Sequence, residues 1–212
     1  MAIVCLIGTP GVGKSTITNR LKTKYAPQYK CASTGEMLRL NKVDIKNLAQ
    51  GEMGPEDIVR KYAHDLMKTE RYLVLDGFPR TIEQIKLMQE WLGDAFQNVF
   101  FMDIYASEER IRRSILENPV CEECGKMYDP EWISTPCPCG GIIGHWKKYT
   151  PQMREQIWFK RKLGFDRERR DMVDFVRGRV NWFSILNDNV DDAAKLISHI
   201  ISWENIRLLK GV

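Results

Sequence analysis

Residues 3–15 constrain this chain more than any other stretch. Ile3-Val4-Cys5-Leu6-Ile7 is apolar throughout and runs straight into Gly8-Thr9-Pro10-Gly11-Val12-Gly13-Lys14-Ser15. A short, wholly apolar run fits a central parallel strand covered on both faces. The second run is a glycine, four residues, then Gly-Lys-Ser, the spacing of a phosphate-binding loop set between a strand and a helix. Glycines there allow successive backbone N–H groups to turn onto one anion, and the following helix N-terminus adds donors and partial positive charge. Gly11, Val12 and Gly13 supply the cradle, Lys14 can follow the outer phosphates, and Ser15, with Thr16 beside it, offers a hydroxyl to Mg²⁺. GTPases, ATPases, helicases and small-molecule kinases share such a loop, so it specifies a nucleotide-phosphate site and not a reaction.

The remainder reads as strands alternating with helices. Tyr29-Lys30-Cys31-Ala32, Arg71–Asp76, Val99–Ile104 and Trp182–Leu186 are predicted strands. Helices are predicted from near Lys14, from Ser33, over Ile82–Leu92, over Glu108–Leu116, as two long charged segments after the cysteine-rich stretch, and over Val190–Leu209. Residues 42–68 read as short helices broken at Gly51 and Gly54-Pro55. That order implies an α/β fold with a parallel sheet flanked by helices on both faces. The 212 residues suit one domain, and a net charge of +4 favours anionic ligands without selecting nucleic acid. No apolar stretch approaches the roughly 18 residues of a membrane span. The apolar run at the start is too short for a secretory signal and has no basic residue before it. A cytoplasmic, monomeric protein with no membrane or nucleic-acid partner is expected.

Two further motifs narrow the field. Ser33-Thr34-Gly35-Glu36-Met37-Leu38-Arg39 opens a helix, and Asp76-Gly77-Phe78-Pro79-Arg80-Thr81 follows a strand, with Gln84 four residues after Arg80. In order and spacing these resemble the signatures of adenylate kinases, P-loop enzymes that phosphorylate nucleoside monophosphates. The resemblance runs from Met1 to about Leu116. It implies transfer of a phosphoryl group from ATP to AMP. Arg39 and Arg80 would fork onto the acceptor's α-phosphate. Thr34, Gly77 and Gln84 would surround its base, and Glu52, Met53 and Gly54 would close the pocket. Gln84, with a donor and an acceptor, can pair with the edge of adenine. Asp76, at the carboxyl edge of the sheet, would orient Mg²⁺ through water.

Phosphoryl transfer requires positioning and positive charge more than a covalent nucleophile, so arginines are the expected catalytic equipment beside Lys14. In the resemblance, Arg110 and Arg161 match arginines that flank a mobile lid. The family's first arginine after the lid falls here on Thr150, for which Arg154 is the expected substitute. The arginine four residues after Arg110 is Ser114, with Arg113 the expected replacement. Arg167–Arg170 reads as a solvated face.

Cys121-x-x-Cys124 and Cys137-x-Cys139 are separated by twelve residues. Four thiolates converging from two turns suit tetrahedral Zn²⁺, and some adenylate kinases carry a zinc lid at this place. Here the second pair is one residue shorter and the loop is compressed. The metal would be structural, replacing the core that so small a module lacks. By resemblance Met127 and Tyr128 would lie against the adenine of ATP. Trp132, Trp146, Trp158, Trp182 and Trp203 read as packing residues, and Cys5 and Cys31 as buried ones.

The expected division is a single P-loop kinase domain over 1–212: a core of 1–32, 69–118 and 148–212, an acceptor-binding insertion at 33–68, and a zinc-ribbon-like lid at 119–147. Two competing readings are a kinase for another nucleoside or deoxynucleoside monophosphate and an ATP-switched zinc-ribbon binder of nucleic acid. Against the second, Asp76 is followed by Gly-Phe-Pro-Arg and not by a second acid.

Overall fold

The computed structural model describes residues 1–40, 55–124, 126–129, 136–137, 139–144, 150–178 and 180–210, with backbone only for 39, 40 and 203–210. Five strands form one parallel sheet: β1 (Ala2–Gly8), β2 (Lys30–Ser33), β3 (Tyr72–Asp76), β4 (Val99–Tyr105) and β7 (Asn181–Leu186), in the order β2-β3-β1-β4-β7. Strand side chains alternate in direction, and β1 shows why every residue in it is apolar. Ala2, Val4 and Leu6 enter one core, while Ile3, Cys5 and Ile7 enter the other.

The first core is capped by α1 (Lys14–Arg20), α5 (Glu108–Glu117) and α7 (Val190–Lys210), which contribute Ile17, Ile111 and Ile115, and Ala193, Ala194, Ile197 and Ile201. The second is capped by α3 (Glu56–Thr69) and α4 (Ile82–Leu92), through Val59, Ala63, Met67, Ile85 and Met88. These apolar residues recur at helical spacing because only one stripe of each helix faces the sheet. Helix α2 (Thr34–Leu40) starts directly from β2. Beyond α5, the short strands β5 (Val120–Cys121) and β6 (Ile143–Gly144) pair antiparallel as a separate two-stranded unit.

Two sequence expectations are corrected here. The charged stretch after the cysteines forms one helix of 26 residues, α6 (Pro151–Val176), not two. Gly164, inside it, has open space where a Cβ would stand. Its cost, about 1 kcal/mol relative to alanine, is offset by contacts of Arg154, Trp158, Met172 and Val176, buried toward the two ends. Pro151 occupies the first turn and the Thr150 hydroxyl accepts from the Met153 N–H at 3.3 Å.

The second correction concerns Arg169, which is not a solvated charge. Its guanidinium forks onto the Asp103 carboxylate, with Nε 2.9 Å from Oδ1 and Nη2 on Oδ2. Asp103 is 1% exposed in the middle of β4 and Arg169 is a third exposed. Removing one partner of a buried pair strands the other charge. Arg169→Ala should cost about 2–4 kcal/mol, below the range for a fully buried pair. Thermal denaturation should show a fall in Tm of about 5–15 °C, and a change under about 2 °C would contradict the pairing.

Candidate active site

Strands β1 and β3 are neighbours, with Leu6 opposite Asp76, and the chain crosses from β3 to β4 on the far side of β1. A reversal of strand order leaves a crevice at the carboxyl ends of the strands, where ligands bind in open α/β sheets. The phosphate-binding loop leaves β1 into that crevice. Gly13 there has φ 95°, and a Cβ on it would stand 2.6 Å from Asn187 Nδ2, so the position requires glycine twice over. Lys14 Nζ donates to the carbonyls of Gly8 at 2.6 Å and Thr9 at 3.2 Å. Ser15 Oγ donates to Asp76 Oδ2 at 2.8 Å, bridging the ends of β1 and β3. Burial lowers the Lys14 ammonium from its ordinary 10.5 to about 8, the nearby Arg80 and Arg161 charges add to the shift, and Asp76 opposes it.

On the other side of Asp76 the second set of residues converges. Thr34 and Gln84 are buried. Thr34 Oγ1 lies 3.4 Å from the Asp76 carbonyl, 3.3 Å from that of Gly77 and 3.4 Å from Arg80 Nη2. Arg80 Nε donates to the Gly77 carbonyl at 2.8 Å. Gly77 has φ 92°, and a Cβ on it would meet Thr34 Oγ1 at 2.5 Å and Arg80 Nη2 at 2.8 Å. Any side chain there would push apart the two groups gathered around it. Burial pulls the Arg80 guanidinium below its ordinary value, and Asp76 and Glu56 counter that.

The Thr81 hydroxyl caps α4 by accepting from the Gln84 N–H at 3.2 Å, which sets Gln84 on the first turn. The Gln84 side-chain amide is held at both ends. Oε1 accepts from the Arg80 backbone N–H at 2.6 Å, and Nε2 donates to both Glu56 oxygens at 3.0 and 3.1 Å. Arg39 is on α2, with only its backbone described. Glu52, Met53 and Gly54 lie outside the described residues.

The cleft over the loop has Gly11, Gly13, Lys14, Ser15 and Thr16 as its floor, with Ser114 and Asn118 from α5 and Met127, Tyr128 and Asp129 as walls. Met127 and Tyr128 are thus brought to the same cleft as the phosphate-binding loop. The arginines of α5 do not line this cleft. Arg110 and Ser114 share one stripe of the helix, and its carboxyl end, with Asn118 as the residue that follows it, enters the site. Arg110, at the far end of the stripe, is near Asp188, and Arg113 pairs with Glu109 at 3.0 Å on the exposed surface. Arg113 thus stands away from the cleft, where polar, uncharged Ser114 and Asn118 are among the lining residues. Arg154, expected as a lid arginine, is buried, with Nη2 2.6 Å from the Asn118 carbonyl and Nη1 3.5 Å from that of Leu116. It caps the end of α5, and burial pushes it down to about 10. Arg161, exposed on α6 one turn beyond Trp158, has its charge near Lys14.

The four cysteines converge. Cys121 Sγ lies 3.5 Å from Cys139 Sγ, Cys124 Sγ 3.6 Å from Cys137 Sγ, and Cys139 Sγ 3.3 Å from Cys137 Sγ, with all four atoms within 4.8 Å of one another. A Zn–S bond of about 2.3 Å in a tetrahedron puts sulfurs about 3.8 Å apart, so the donor set fits zinc despite the shortened second pair. The turns explain why. The Cys121 N–H donates to the Lys126 carbonyl at 2.9 Å, and the Gly140 N–H to the Cys137 carbonyl at 2.8 Å. Gly140 carries φ 85°, while Gly141 is the one packed on the thiols: a Cβ there would be 2.5 Å from Cys121 Sγ.

Three contributors escaped the sequence reading. Asn187, buried at the end of β7, donates Nδ2 to the Val12 carbonyl at 2.6 Å and so holds the loop from a strand 175 residues away. The Trp158 indole N–H donates to the Pro10 carbonyl at 3.0 Å, so it does more than pack. Glu56 looks in sequence like an ordinary acid in a helix's first turn. Of the other tryptophans, Trp182 stacks on Phe101 with ring centroids 5.7 Å apart, Trp132 and Trp146 lie outside the described residues, and only the backbone of Trp203 is described. Cys5 is fully buried and Cys31 half-buried.

Comparison with known proteins agrees with this geometry. A family model described as an AAA domain matches residues 7–125. A curated adenylate kinase of Onion yellows phytoplasma is 27% identical over 95% of this chain and 99% of its own length. That of Pyrococcus abyssi is 24% identical over 96% and 99%, and that of Thermosipho africanus 30% identical over 65% and 71%. With the loop, the Asp-Gly-Phe-Pro-Arg turn and the sheet order in place, the chain belongs to the adenylate kinase family and is a nucleoside monophosphate kinase, a phosphotransferase.

Proposed function

We propose that this enzyme transfers the γ-phosphoryl group of ATP to AMP, giving two ADP. The observation that carries the reading is the arrangement of charge about Asp76. The Asp76 carboxylate bears on both Lys14 and Arg80, the Arg80 charge is near enough to weigh on Lys14, and Ser15 bonds the carboxylate. A phosphoryl group in flight spreads negative charge over its oxygens, and fixed cations beside its path stabilise it at no cost of reorganisation.

In this reading the backbone of Gly11, Val12, Gly13 and Thr16 and the side chain of Lys14 hold the ATP phosphates. Lys14 exchanges its two carbonyl partners for phosphate oxygens. Ser15 and Asp76 hold Mg²⁺, which supplies charge neutralisation at the phosphates. Met127 and Tyr128 flank the ATP base, and Arg161 approaches the phosphates from α6. Arg39 and Arg80 hold the α-phosphate of AMP, with Thr34, Gly77 and Gln84 around its base and Glu52–Gly54 closing over it. Residues 33–68 are the acceptor arm and 119–147 the lid, which excludes water from a group that water would otherwise intercept. The reading is of a monomer acting in the cytoplasm. No helix among the described residues is long and apolar enough to cross a membrane.

Zinc on Cys121, Cys124, Cys137 and Cys139 supplies structure and no chemistry. Elemental analysis of protein prepared without chelator should find about one zinc per chain, and Cys121→Ala should lower both Tm and activity. Less than about a tenth of an equivalent of metal, with all four thiols freely titratable, would contradict the site. The acceptor is tested by a panel of monophosphates with ATP and Mg²⁺. AMP should give the highest kcat/KM, and a clear preference for a uridine or guanosine monophosphate would overturn the assignment.

A further inference from the structure

The Gln84 amide is not free to turn. Its oxygen is committed to the Arg80 backbone N–H and its nitrogen faces both oxygens of Glu56. A donor at one end and a carboxylate at the other define which way the amide points. Glu56, the first residue of α3, is itself steadied by Arg60 Nε, 2.8 Å from Oε1. Its side chain is 41% exposed while Gln84 beneath it is buried, so the carboxylate is the outer member of the pair. Its bonds to Gln84 Nε2 hold it beside the residue that also receives the Arg80 N–H, and its charge is felt at Arg80.

With its oxygen already accepting from the Arg80 N–H and one of its N–H bonds held by the carboxylate, Gln84 has a second N–H to offer a base. Beside that donor stands an anion with lone pairs to spare. We propose that Glu56 is the residue that selects the acceptor base, the carboxylate and the Gln84 N–H together reading an amino group next to an unprotonated ring nitrogen. This deepens the proposed function and rests on it.

The edge of adenine matches: N6–H₂ donates to Glu56 and N1 accepts from Gln84. Cytosine presents the same pair at N4 and N3. Hypoxanthine and uracil present the reverse, a carbonyl facing the carboxylate and a ring N–H facing the amide N–H. A site built of committed polar groups rejects a reversed edge strongly, because its buried partners are left unpaired. A Glu56 that merely stabilised its own helix would affect every acceptor alike.

The test is the ratio of kcat/KM for AMP to that for IMP, measured in wild type and in Glu56→Gln. The two nucleotides differ only along the edge in question. The variant's amide can turn to present either a donor or an acceptor, so the ratio should fall by about tenfold to a hundredfold, the worth of one hydrogen bond to a charged group. Glu56→Ala should shift the ratio in the same direction, and serves if the first variant folds poorly. Fluorescence titration with ATP and thermal denaturation check that donor binding and fold are retained. A ratio within about twofold of wild type, whatever the loss of overall activity, overturns the role of Glu56 and leaves the AMP assignment standing. A wild type that favours CMP over AMP, with the CMP-to-UMP ratio falling in Glu56→Gln, overturns AMP and supports Glu56. A wild type that favours IMP or UMP overturns both.

Discussion

Lys14→Ala should abolish phosphoryl transfer in a protein that remains folded. The loss expected is about 3 kcal/mol or more of transition-state stabilisation, which is about 10²–10³-fold in kcat. Stability should not fall in step. Burial holds the Lys14 ammonium below its ordinary value, so the folded protein carries a cost for that charge at neutral pH, relieved by the substitution and set against two lost bonds to carbonyls. The sign of the pH dependence follows. The unfolded lysine titrates near 10.5 and the folded one near 8, so the free site loses its cation as pH rises through about 8. ATP phosphates restore it. Binding at pH 9 should therefore take up close to one proton, read by calorimetry in buffers of different ionisation enthalpy, and affinity should decline above pH 8. Lys14→Ala should remove the uptake. Near-normal turnover in the folded variant, or equal proton uptake in both proteins, would contradict the assignment.

Arg80→Ala should reduce transfer by about 10²–10³-fold, as expected for a buried, charge-assisted contact with a phosphate. Arg80 is fixed at one edge by its Nε bond to the Gly77 carbonyl, so the guanidinium is positioned before the substrate arrives and little side-chain freedom is lost on binding. Thermal stability should change less than activity. The charge-matched control is Arg177→Ala, which removes a guanidinium paired at 3.2 Å with Asp174, both largely exposed. Equal losses in the two variants would mean that Arg80 acts only through net charge, and the acceptor site would have to be sought elsewhere.

Much of this could be read directly from the sequence because the features concerned are local. An apolar run followed by a glycine-rich loop specifies β1 and what comes after it, and the four cysteines announce their site by spacing alone. Asp76 and Arg80 fall within one turn of each other. What could not be read depends on contacts across long stretches of chain. Asp103 is hidden in an otherwise apolar strand, and its partner Arg169, 66 residues later, sits in a run of charges that looks uniform along the helix. Thr150 stands where the resemblance expects a lid arginine and Arg154 where its substitute is expected, yet Thr150 caps α6 and Arg154 caps the end of α5. On α5 the count of residues suggested arginines, whereas the end of the helix that meets the cleft brings Ser114 and Asn118. Glu56 reads as a helix-start acid until Gln84, 28 residues on, is seen beneath it.

The polar pair Ser114 and Asn118 has a consequence for the lid. With α5 contributing a hydroxyl to this cleft and Asn118 beyond it an amide, the cation in the cleft is Lys14, and the charge of Arg161 on α6 lies near enough to bear on it. Helix α6 is tied to the loop by the Trp158–Pro10 bond and to the sheet by Arg169–Asp103, so Arg161 is carried on a braced element and not on the lid itself.

The fate of the γ-phosphoryl group can be followed with ATP carrying radioactive phosphorus at that position, incubated with AMP, Mg²⁺ and enzyme. Transfer to AMP should place the label in the β-phosphate of ADP, with one AMP consumed for each ATP and two ADP formed. Label released as inorganic phosphate at a rate indifferent to AMP, with none in any nucleoside diphosphate, would contradict it.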